Sequence, residues 1–72
     1  MDFESAVRIS KELEQSFDRL LVSGFRRMSS ERFDSWAIDV VDSETGGLVT
    51  LDEKDNWERV LQVNFPELSK VR

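Results

Sequence analysis

Apolar side chains in the first third of the chain recur at intervals of three and four. Phe3, Ala6, Val7, Leu13, Phe17, Leu20, Leu21 and Phe25, with the small Ser10 and Gly24 among them, fall on one face of a helix. The spacing predicts a long amphipathic helix over residues 3–23. Asp2 stands where an N-cap accepts amide protons left free by the first turn. Gly24 stands where a left-handed residue closes the last one. Ser10, small within the apolar face, leaves room for another element to approach closely.

The pattern then changes. Residues 36–41, Trp-Ala-Ile-Asp-Val-Val, and 48–51, Leu-Val-Thr-Leu, are short, apolar and rich in β-branched side chains. Between them Asp-Ser-Glu-Thr-Gly-Gly gathers turn formers, two of them glycines able to take positive φ. This predicts a β-hairpin over 36–51 with its turn at 42–47, Trp36, Ile38 and Val40 lining one face and Ala37, Asp39 and Val41 the other. Phe33, Trp36, Ala37, Val40 and Val41 also fit a helix begun at Ser29 or Ser30. The loss of χ1 freedom that β-branched residues suffer in a helix, together with the turn chemistry, favours the hairpin.

A second helix is expected over 53–64, capped by Asp52, with Glu53 and Asp55 in its acidic first turn. Trp57, Val60, Leu61 and Asn64 share its face, and Pro66 stops it. Pro66-Glu67-Leu68 has the form of one further short turn, and 67–72 reads as a frayed tail. The whole is a single small α+β domain over 1–72, a long N-terminal helix, a hairpin and a C-terminal helix (α-β-β-α), both helices on one face of the ribbon. The alternative is an all-α three-helix bundle.

Composition then narrows the chemistry. The 72 residues include no cysteine, histidine or tyrosine. Disulfides, thiolate zinc sites and nucleophile–imidazole pairs are therefore absent from one chain. Carboxylate catalysis needs a pair of acids in environments that push their pKa values apart, and the acids here fall on turns, caps and outer faces. The expectation is a non-enzymatic protein with no cofactor. Asp42-x-Glu44 and Asp52-Glu53-x-Asp55 lack the loop pattern that calcium requires, so no metal is expected. Thr45-Gly46-Gly47 lacks the spaced glycines and lysine of a phosphate-binding loop. The longest apolar run, Leu20-Leu21-Val22, falls far short of the ~20 residues that span a bilayer. With acids rather than bases at the start, a cytoplasmic location is expected.

Charge is unevenly distributed. The chain carries a net −5, but residues 34–58 hold eight acids against Lys54 alone. This block suggests a docking face made of Asp39, Asp42, Glu44, Asp52, Glu53 and Asp55, with Trp57 as its aromatic anchor. Its partner would be a protein with a basic surface, and the chain a regulator, inhibitor or accessory subunit. One form of this idea is mimicry of nucleic-acid charge. The plain alternative is a solvated surface that keeps the protein soluble. Arg26, Arg27 and Arg32 form a basic cluster, either a possible anion-binding site for nucleic acid, used by a dimer, or a counterweight to the negative end of the first helix. An apolar helix face running from Phe3 to Phe25 is about 33 Å long. That is more than a hairpin and a short helix cover, so a homodimer is expected.

Overall fold

The computed structural model describes residues 1–29 and 34–68. Helix α1, Phe3–Ser16, buries Ala6, Ile9, Ser10 and Leu13 along one face. Asp2 caps it as its position suggests, its carboxylate accepting the Ser5 amide at 3.1 Å. The buried Ser10 hydroxyl is satisfied within the helix, donating to the Val7 carbonyl at 2.7 Å.

The helix stops at Ser16, not at 23, and Gly24 does not end it. Phe17 turns extended, with φ −134° and ψ 106°, while its amide still bonds the Leu13 carbonyl. Residues Leu20–Ser29 form strand β1. The hairpin follows as read, with β2 at Asp34–Asp42 and β3 at Leu48–Leu51, and the three-helix bundle is ruled out. The antiparallel sheet has order β1-β2-β3, one strand more than the α-β-β-α reading allowed. The extra strand has a physical reason. β3 meets only Ile38–Val41, so without β1 most of the nine-residue β2 would keep unpaired backbone groups.

Register assigns the faces. Leu20, Val22 and Phe25 of β1 lie opposite Asp42, Val40 and Ile38 of β2, and Ile38 lies opposite Leu51 of β3. A bulge at Ser23 shifts the β1 ladder between Val22 and Gly24, and the Ser23 hydroxyl donates to the Asp39 carbonyl at 3.2 Å. The turn is closed by Gly46 at φ +77°, a conformation that favours glycine.

Helix α2 spans Trp57–Asn64 and starts four residues later than expected. Asp52 does not cap it. Asn56 holds that position without a side-chain cap bond, and its amide group donates instead to Glu53 at 3.0 Å. The acidic stretch is used as a connection that carries the chain from the sheet to the helix layer. The helix ends ahead of Pro66, and the Leu68 amide closes a turn on the Phe65 carbonyl at 3.0 Å. Leu68 packs partly buried against the core, and residues 69–72 of the expected frayed tail lie outside the described residues.

Both helices cover the same face of the sheet. The core between them joins Ala6, Ile9, Leu13 and Phe17 to Leu20, Ile38, Val40 and Leu51, and to Trp57 and Leu61. Among the described residues no helix lies over the opposite face.

Candidate interaction site

Strand parity decides the fate of the acidic block. Asp42 continues the inward series of Ile38 and Val40 and is 1% exposed. Arg19, from the α1–β1 connection, grips it with two bonds, Nη2 to Oδ2 at 2.7 Å and Nε to Oδ1 at 3.4 Å. The Glu44 amide donates to the same carboxylate at 2.9 Å. That amide and the guanidinium hold the Asp42 carboxyl below the usual carboxylate range, against the opposing effect of desolvation. The Asp42 bond in turn raises Arg19. Asp42 therefore belongs to the fold rather than to an exposed docking face. Glu44 is exposed in the turn and leans on Arg19 Nε at 3.3 Å.

Asp39 lies on the uncovered face in the middle strand. Its carboxylate accepts the Thr50 hydroxyl at 2.8 Å and pairs with Arg26 Nε at 3.5 Å. Trp57 is 9% exposed and sits in the core, so it is not a surface anchor. Of the two tryptophans it is Trp36 that joins a surface cluster. Phe3 meets Trp36 at 4.8 Å and Phe25 at 5.5 Å between ring centroids, edge to face in both cases.

Asp52, Glu53 and Asp55 remain exposed, in the β3–α2 connection. The structure adds Asp2 to them. The Met1 ammonium donates to the Asp52 carbonyl at 3.1 Å, as well as to Ser35 Oγ and the Trp36 carbonyl, and so brings the start of α1 to this loop. Hydrogen bonds from Ser5, the hydroxyl's ahead of the amide's, hold Asp2 below the usual carboxylate range, and Lys54 adds to this through its charge. The result is an acidic end of the molecule made by Asp2, Asp52, Glu53 and Asp55, separated by the length of β3 from Glu44. Sequence reading assigned Asp2 only its capping role, because a contact fifty residues away leaves no local signal.

The basic cluster is dispersed. Arg26 and Arg27 are neighbours on β1 and so point to opposite faces of the sheet, and neither lies at the end of α1. Arg32 lies outside the described residues. Among the described residues no three acids converge in a way that would hold a metal ion.

A different surface was not anticipated. Leu21, Val41 and Leu48 lie in one cross-strand row on the uncovered face, with Leu21 48% and Leu48 62% exposed. The architecture so defined is a small α+β domain of order α-β-β-β-α with a one-sided sheet. No protein-family model matches the chain, and neither a curated protein nor a solved structure does. Among the described residues no helix is long and apolar enough to cross a membrane.

Proposed function

We propose that the protein is a non-enzymatic interaction module that docks a partner protein of basic surface through its acidic end. The observation that supports this reading is the Met1–Asp52 contact, which gathers the four acids Asp2, Asp52, Glu53 and Asp55 from two distant segments around two cations, Lys54 and the Met1 ammonium. Charges gathered at one end of a molecule steer a partner's approach and set its orientation more than they add affinity. The wider acidic face is reduced, because Asp39 and Asp42 spend their charge on Arg26 and Arg19. Mimicry of a nucleic-acid backbone loses its centre for the same reason. The role is that of a regulator, inhibitor or accessory subunit.

Affinity capture with two baits tests the reading. The native chain should retain a stoichiometric partner that elutes as salt rises, since pairs between exposed charges are screened. The triple variant Asp52→Asn, Glu53→Gln, Asp55→Asn should lose it while keeping its helical circular dichroism. Equal capture by both baits would refute the proposal.

A further inference from the structure

We propose that two copies of this chain associate through the free edge of β1, and this surface is independent of the acidic end. Among the described residues β1 is a ten-residue strand with a hydrogen-bonded neighbour on one side only. The large exposed apolar side chains among the described residues are Phe3, Leu21, Phe25, Met28, Leu48 and Val63. Three of these six belong to β1, and a fourth, Phe3, rests its ring on Phe25.

Their placement points to the edge rather than to either face. Leu21 and Met28 lie on the uncovered face, whereas Phe25 and Phe3 lie on the helix side. A partner lying on the uncovered face would cover Leu21 and leave the phenylalanines in water. A strand added along the edge covers both flanks at once.

Charge identifies the occupant. Two molecules of net −5 repel unless they meet where acids are missing. Residues 19–30 are the longest acid-free run in the chain, and β1 lies within it. Arg26 pairs with Asp39 at 3.5 Å, which lessens the positive charge that β1 brings to the contact. An antiparallel two-fold through the middle of the strand brings Leu21 of each copy toward Met28 of the other, and the Phe3–Phe25 pairs together on the helix side. The outer edges of the resulting six-stranded sheet are then two copies of the four-residue β3, too short to propagate.

Size sets the strength. A strand of about 33 Å in a layer about 10 Å thick offers roughly 330 Å² per copy. That falls below a standard interface, so a weak dimer that dissociates on dilution is expected. The bulge at Ser23 and the two arginines are the usual guards of an edge and weaken it further.

Sedimentation equilibrium of the full chain, from about 10 μM to about 1 mM, should show the mass rising from 8.4 kDa toward twice that value. Leu21→Glu and Met28→Glu, each checked for native circular dichroism, should keep it at the lower value, and Leu48→Glu should leave the rise intact. On the unaltered chain, β1 amides should exchange more slowly as concentration increases. A monomer throughout overturns the proposal, as does a dimer that Leu48→Glu abolishes and the β1 variants preserve. Failure here leaves capture through Asp52, Glu53 and Asp55 untouched, because no residue is shared.

Discussion

Asp42 carries the largest consequence of any single side chain. A carboxylate that is 1% exposed would be costly without partners, and Arg19 and the Glu44 amide supply them. Removing the charge leaves Arg19 with only the exposed Glu44 and the buried site without its anion, so Asp42→Asn should lower the thermal midpoint by about 10 °C. The pH dependence has a definite sign. Asp42 has its pKa depressed by folding, so its contribution is complete above the unfolded value near 4 and disappears as pH falls through the folded value. Native protein should therefore lose stability steeply below about pH 4, and Asp42→Asn should flatten that slope. A variant with an unchanged acid limb would show that other carboxylates carry it. Charge counting placed Asp42 in a docking face because a count does not distinguish burial. The parity of Trp36, Ile38 and Val40 did hold the answer, since the next inward position is 42. What the sequence did not reveal is the grip of Arg19, a residue read as part of a helix.

The elements were legible where one period ran unbroken. Ala6, Leu13 and Phe17 belong to the helical stripe read from the sequence, which took Val7 where the structure buries Ile9, and the hairpin announced itself through β-branched strands about a glycine turn. β1 was hidden because its bulge at Ser23 changes the phase. Leu20 and Val22 point inward two apart, Phe25 follows three later, and Phe17 precedes by three, so the series imitates a continuing helix. Two glycines test this account with opposite signs. Gly24 has ordinary φ, and a methyl group there meets no atom within 4 Å. Gly24→Ala should therefore leave stability unchanged or raise it by about 0.5–1 kcal/mol, through fewer unfolded conformations. At Gly46, with φ +77°, the same change should cost about 1–2 kcal/mol. Urea unfolding of the two variants reads both, and a loss at Gly24 would restore it to a helix end.

For the molecule as a whole, the decisive fact is that, among the described residues, helices cover one sheet face and not the other. The class of fold followed from segment order, yet the sidedness of the sheet required its register. The hairpin reading put Ile38 and Val41 on different faces without saying which face the helices take. The helix layer lies over Ile38, which is fully buried between Phe25 and Leu51 in the register. A domain of this length has a stability of about 4–11 kcal/mol at 0.05–0.15 per residue. Ile38→Ala should remove about 2–5 kcal/mol of that, through lost burial and the cavity left behind. Leu48, 62% exposed on the bare face, should tolerate change to serine within about 0.5 kcal/mol. Denaturant midpoints measured at a concentration low enough to exclude association separate the two, with the slope of unfolding unchanged in both. If Leu48→Ser proved as damaging as Ile38→Ala, something would have to cover the bare face within a single molecule. The row formed by Leu21, Val41 and Leu48 would then belong to a second core, and the one-sided sheet from which the edge of β1 draws its role would no longer hold.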